Sequence, residues 1–286
     1  DEYFNRRKRY RDLSRYPKPI TRPPAIEYME SRGISARIAE SYGITTRKDA
    51  DNVLVFPFVD EAGKMQFVKY RKTDFDKDKD KNKEWCESNC KPILFGMDHC
   101  DAELSTTLVL TEGQIDSLSV AEAFGGAVNA VSVPTGAKGF TWVPYCWDFL
   151  AKFDTLIVFG DHEGGHITLL DEMRTRFNGT LKHVRPEAYL DCKDANEILL
   201  KHGKQAVIDA VNSAVILANP KIKKLSEVRH KSMAEMEAIS TGLSRLAQTL
   251  GGFYFGQLIV LTGERGLGKS TLGSQFITES VAQNVP

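Results

Sequence analysis

The sequence predicts an α/β protein with a small α+β segment first, then a central parallel sheet flanked by helices. A linker helix follows, and the chain closes on a strand, a glycine-rich loop and a helix. Three observations carry this prediction. From Thr106 onward, apolar strand-like runs alternate with helical segments, the pattern of a parallel sheet covered by helices. Acidic residues stand at the ends of successive apolar runs. A complete G-x-x-x-x-G-K-[ST] motif lies near the C-terminus.

Taken in order, residues 1–24 are basic and proline-rich, end in Pro23-Pro24, and read as an arm or linker. Residues 25–104 form the α+β segment. Ile26, Met29, Ile38 and Ala39 recur at helical spacing, and Gly33 divides them into two short helices, with Ser35 a candidate N-cap for the second. "NVLVFPFVD" and "MQFVKYRK" read as a hairpin turning through "DEAGK". The charged stretch from Lys72 to Lys91 is expected to be a mobile loop.

Residues 105–216 carry the alternation. "TTLVLTEG", "AVNAVSVPTGA", "FDTLIVFGDHEGG" and "LKHVRPE" read as strands with their exit loops. "QIDSLSVAEAFG", "HITLLDEMRTRFNG" and "DANEILLKHGKQAVIDAVNSA" read as helices. Residues 217–240 are expected to be an interdomain linker helix, and residues 241–286 a further unit containing the glycine-rich loop.

A chain of 286 residues with 42% hydrophobic residues has room for about two domains. Lys+Arg and Asp+Glu are balanced at 38 each, so a nucleic-acid role has to rest on local patches. Such patches occur at Arg6, Arg7, Lys8, Arg9 and Arg11, and again at Lys69, Arg71 and Lys72. Either could equally be a solvated surface. Five cysteines without a signal peptide point to a reducing compartment. Cys86, Cys90 and Cys100, with His99 nearby, resemble part of a zinc site lacking a clear fourth ligand. No apolar run approaches the ~20 residues of a membrane span. The chain starts at Asp1 and stops soon after the phosphate-loop motif, as expected of a piece of a longer protein.

The motif runs from Gly263 through Gly266, Gly268 and Lys269 to Ser270, between the apolar run "LIVLT" and the helical "STLGSQFITES". Glycines let backbone N–H groups wrap phosphates. Lys269 would reach the β- and γ-phosphates of ATP or another NTP, the Ser270 hydroxyl would hold Mg2+, and Thr271 follows in the first helical turn. Upstream, Glu112, then Asp161 and Glu163, then Asp194 fall at the ends of predicted parallel strands, where open α/β sheets place their sites. Gathered carboxylates repel one another and stay ionised only when cations such as Mg2+ or Mn2+ balance them. The bland alternative is that they are helix caps or first-turn acids. Asp116, one turn into its helix, and Asp194 could support the others from behind. His162 and His166 flank the acidic pair as ligands or as loop histidines.

At these residues a resemblance becomes visible. "TEGQIDSLSVAEA", "LIVFGDHEGG" and "KDANE" resemble the Toprim domain of DnaG-type primases and topoisomerases. The order of parts over roughly residues 25–286 is similar to the primase–helicases of T-odd bacteriophages, relatives of the mitochondrial helicase Twinkle. "STGLSRLAQTLGGFYFGQLIVLTGERGLGKST" resembles the opening of their RecA-like ring-helicase domain.

The resemblance implies a DNA primase joined to an NTP-driven helicase. In such a protein a ribonucleotide 3′-hydroxyl attacks the α-phosphate of the next triphosphate and pyrophosphate leaves. It also implies roles: Glu112 as acid/base or metal organiser, Asp161 and Glu163 as metal ligands, Lys69 and Arg71 as phosphate holders. Implied partners are a single-stranded DNA template, ribonucleoside triphosphates, a homo-oligomeric ring (hexamer or heptamer) and the DNA polymerase of the same replisome. The implied setting is the cytoplasm of a bacterium or phage-infected cell, or a mitochondrion or other organelle. The chain departs from the family pattern D-x-D-x-x-G, either through Asp161-x-Glu163 with an early glycine or through Gly160 and His162. Gln114 stands where a second acid is common, and residues 1–24 carry no zinc-binding pattern. Two other readings remain open: a Twinkle-like helicase whose Toprim region only binds single-stranded DNA, and a nucleotide-sensing assembly module.

Overall fold

The computed structural model describes residues 10–136, 139–162, 167–217 and 238–283. The chain divides into two compact units, residues 1–218 and 219–286.

The first unit opens with two short helices, α1 (Pro23–Ser31) and α2 (Ala36–Ser41). Pro23 suits the first turn of α1, whose N–H groups have no helical acceptor. Both helices stop by the same device. Gly33 (φ 74°) and Gly43 (φ 66°) take left-handed conformations, and the N–H groups of Ile34 and Ile44 reach back to Met29 and Ala39 carbonyls, each at 2.9 Å. Ser35 stands at the N-cap of α2, yet its hydroxyl does not cap the helix. It donates instead to Glu122 Oε2 at 2.6 Å, because an ionised acceptor with little water around it outcompetes a backbone partner.

An antiparallel sheet follows in the order β1 (Thr45–Arg47), β2 (Ala50–Val59), β3 (Met65–Lys72), β4 (Glu84–Cys86). The predicted hairpin is β2–β3, its turn held by Asp60, which accepts from the Ala62 and Lys64 N–H groups. The loop expectation for Lys72–Lys91 is corrected: β4 pairs with β3, setting Tyr70 opposite Trp85 and Arg71 opposite Glu84. Those cross-strand pairs, one aromatic and one charged, stabilise the ladder.

The second sheet runs β6 (Ala130–Ser132), β5 (Thr107–Thr111), β7 (Thr155–Phe159), β8 (Thr180–His183), β9 (Val215–Ile216). Its first four strands are parallel, and β9 closes the edge antiparallel to β8. Helices α3 (Gln114–Ala123), α4 (Val143–Leu150), α5 (Thr168–Arg174) and α6 (Ala195–Asn212) connect the strands. Phe95 bridges the edge strand at Ser132. One continuous apolar core runs from Met29, Phe56 and Phe58 through Phe95 to Leu108, Leu118 and Val158. The fold class is thus mixed α/β with a mainly parallel sheet and flanking helices, as predicted.

The second unit contains β10 (Ala238–Ile239) paired with β11 (Phe253–Tyr254), α7 (Ser244–Leu250) and α8 (Lys269–Ala282). The strand expected at 258–262 is not formed: among the described residues nothing pairs with it, and Leu258 and Val260 are exposed. A buried parallel strand needs neighbours on both sides to satisfy its backbone, and no described strand of this unit supplies them. The expected linker helix falls largely outside the described residues. No described helix is long and apolar enough to cross a membrane.

Candidate active site

The parallel sheet sets its acids on the loops that leave the C-terminal ends of its strands. Glu112 follows β5, Asp161 follows β7, and Asp194 precedes α6 on the return from β8. Together with Asp116 in the first turn of α3, they line a cleft of about 510 Å³. Across it stand Lys69 and Arg71 of β3, Glu84 and Trp85 of β4, and Arg32 and Lys83. Lys193 joins the cations from the sheet side.

Asp116 is buried at the floor of the cleft. Burial, then the charges of Asp194 and Asp161, push its carboxyl well above the ordinary carboxylate range. One hydrogen bond opposes that shift, from the Asn196 N–H to Asp116 Oδ1 at 3.1 Å. Asp194 has two tasks: its Oδ1 caps α6 by accepting from the Glu197 N–H at 2.8 Å, while the residue lines the cleft. Asp194 thus caps a helix and borders the cleft at once. Gln114 donates to Val133 O at 2.8 Å and Ser132 Oγ at 3.1 Å, tying α3 to β6.

On the opposite wall Glu84 bridges two cations, meeting Lys69 Nζ and Arg71 Nη1 at 2.7 Å each. Burial opposes ionisation of Glu84, but the Lys69 and Arg71 charges outweigh it and hold the carboxyl below its usual range. Arg71 first, then burial, Lys193 and Arg32 lower Lys83, the mark of a crowded positive wall. Sequence reading finds Lys69 and Arg71 but misses Arg32, Lys83, Glu84, Trp85 and Lys193. Lys193 lies within "KDANE" and could have been named from it. The others come from segments whose pairing the sequence pattern does not reveal.

Glu163 and His166 lie outside the described residues. His162 stacks on Tyr189, ring centroids 4.9 Å apart, and its backbone N–H donates to Lys193 O at 2.7 Å. Its Nε2 has no hydrogen-bond partner among the described residues. Gly160 ends β7 with no room for a side chain, since a Cβ there would lie 2.9 Å from Ile167 Cγ2. An acid cannot be accommodated at that position without moving Ile167.

The carboxylate oxygens on the sheet side of the cleft suit a hard divalent cation, while Cys86 lines it from β4. The buried Asp116 carboxyl between two further acids is the specific fit: burial and the charges of Asp194 and Asp161 raise it, and a cation there would offset both. Among the described residues, no three carboxylates of the cleft bring their oxygens within 4.8 Å of one another. The partial zinc site is not assembled. Cys90 Sγ turns to Ser88 O and Cys100 Sγ to Gly96 O, and His99 stacks on Tyr42 at 3.8 Å.

In the second unit, Gly263, Gly266 and Gly268 all take positive φ (153°, 87° and 79°), as a loop that turns its N–H groups inward requires. Lys269 opens α8, and its Nζ donates to the carbonyls of Gly263 and Glu264 at 2.8 and 2.6 Å. Ser270 and Thr271 follow in the first turn.

The chain is similar in fold to solved primase structures. No family model and no curated protein matches the sequence; the likeness is one of structure. The primase fragment of the bacteriophage T7 primase-helicase protein matches with a TM-score of 0.53 at 21% identity, over 71% of this chain and 82% of that one. The Aquifex aeolicus primase, with its zinc-binding and RNA polymerase domains, matches with a TM-score of 0.55 at 16% identity, over 93% and 68%. A structure of bacteriophage T7 lagging-strand DNA polymerase interacting with primase domains, bound to an RNA/DNA hybrid and dTTP, matches at 0.50 and 24%, over 66% and 91%.

Proposed function

We propose that the first unit is the primer-synthesising core of a DNA primase, of the Toprim type, acting on single-stranded DNA with ribonucleoside triphosphates. One observation carries the reading: carboxylates from successive parallel strand ends face a cationic wall across a single cleft. In this reading Lys69 and Arg71 hold the incoming triphosphate, and Arg32, Lys83 and Lys193 take template phosphates. Glu112 accepts the proton of the attacking 3′-hydroxyl or orients the group that does. Asp161 and Glu163, with Glu112, would hold Mg2+ or Mn2+, which when bound supplies charge neutralisation at the phosphates. The second unit, through Gly263–Thr271, binds ATP or another NTP, and in a homo-oligomeric ring would belong to a DNA helicase.

Template-dependent incorporation of labelled ribonucleotides, with Mg2+ or Mn2+, tests the primase reading. Product that disappears in Glu112→Gln supports it. A second reading, single-strand binding without synthesis, draws on the wide spacing of the carboxylates. It is favoured if neither metal yields product while single-stranded DNA binds in a salt-dependent way.

A further inference from the structure

The described residues gather three metal-ligand atoms closely at only one place, and it is not the cleft. Asp191, Cys192 and His202 each bring a donor atom within 4.8 Å of the others. None of the three lines the cleft. Asp191 and Cys192 sit in the turn before α6, and His202 lies two turns along that helix, next to Gly203, where α6 breaks (φ 81°). We propose that Asp191, Cys192 and His202 form a separate site for a borderline divalent cation of the zinc class, with water in the fourth position.

The chemistry differs from that of the cleft. One thiolate, one imidazole and one carboxylate select zinc over Mg2+. Their summed charge, with Cys192 and Asp191 ionised and His202 neutral, balances a dication. Cys192 Sγ lies 3.6 Å from Asp191 Oδ1, close to the ligand separation of about 3.5 Å set by tetrahedral zinc with bonds of about 2.0–2.3 Å. His202 Nε2 and Asp191 Oδ1 are closer, within hydrogen-bond distance at 2.6 Å; a metal between them opens the pair by under about 1 Å. The His202 hydrogen bond already holds the Asp191 carboxyl down to about 2, so that ligand is ionised. Burial raises the Cys192 thiol, so the metal must displace its proton. Lys201 Nζ, 3.4 Å from Asp191 Oδ2 and half-exposed, can swing into solvent as the metal enters.

The site would clip the turn to the body of α6. Lys193 and Asp194 follow directly, and Lys193 O receives the His162 N–H. A metal at Cys192 would therefore brace one wall of the cleft without taking part in its chemistry.

The test is a titration of the full chain with Zn2+ in excess Mg2+, with Co2+ as the spectroscopic probe. The expected result is a single equivalent bound, with a thiolate-to-cobalt charge-transfer band that disappears in Cys192→Ser. In His202→Gln, zinc affinity should fall about tenfold or more. In the wild-type chain, zinc should slow alkylation of Cys192 in peptide-resolved mass spectrometry, a readout that survives if Cys192→Ser fails to fold. No thiolate band, a band unchanged in Cys192→Ser, or alkylation of Cys192 indifferent to zinc would overturn the proposal.

Discussion

Glu84 decides how the two phosphate-holding candidates are presented. Lys69 is largely buried, and its ammonium is tolerable there because Glu84 meets it and Arg71 together. Glu84→Gln leaves that charge partly uncompensated, and we expect a loss of about 1–3 kcal/mol in denaturant unfolding, less than for a fully buried pair. The pH dependence has a definite sign. The Glu84 carboxyl ionises more readily in the folded chain than in the unfolded one, so its stabilisation is complete above the ordinary glutamate value of about 4.3. It is lost as pH falls through the lowered folded value, and the acid limb of the stability curve should be flatter in Glu84→Gln. Glu112 and Asp161 stand out in the sequence because they fall at the ends of predicted strands, and Lys69 and Arg71 as a basic patch to which the family resemblance gives a role. Glu84 does not, because its role depends on a strand pairing hidden in a run of alternating Asp and Lys.

At the scale of elements, the turn from β5 into α3 is tightly constrained. Gly113 has ordinary extended dihedrals, yet a Cβ there would lie 2.5 Å from Asp116 Oδ2. Gly113→Ala is expected to displace that carboxyl, cost about 1–2 kcal/mol and reduce the Mg2+-dependent rise in melting temperature, measured by calorimetry. The phosphate loop offers a separable test. Lys269→Ala should weaken binding of a fluorescent ADP analogue about tenfold or more and leave single-stranded DNA affinity unchanged. Strand–helix alternation made β5, α3, β7 and α6 readable, since each pairs an apolar run with a turn signal. It hid α4, whose residues lie between glycine-rich and aromatic stretches. It also misled at 258–262, where an apolar run alone does not make a strand without partners.

Across the whole molecule, positive and negative charges cancel, so in the proposed reading nucleic-acid affinity comes from the local wall of Arg32, Lys83 and Lys193. Three phosphate contacts at about 0.7 each predict a slope of about −2 for log affinity against log salt on single-stranded DNA. Lys83→Ala should make that slope shallower by about 0.7 in a fluorescence anisotropy series. The apolar core behind the wall is continuous through the first unit, and all ten residues of α3 within it are buried, the polar Gln114, Asp116, Ser117, Ser119 and Glu122 included. A helix with one wet face leaves every third or fourth position free to drift; α3 has no such position. In a saturation library over 114–123, intolerance should form an unbroken block with no helical rhythm. Across lineages, this is the stretch by which distant kin of the chain would still be recognisable after most of its surface had been rewritten.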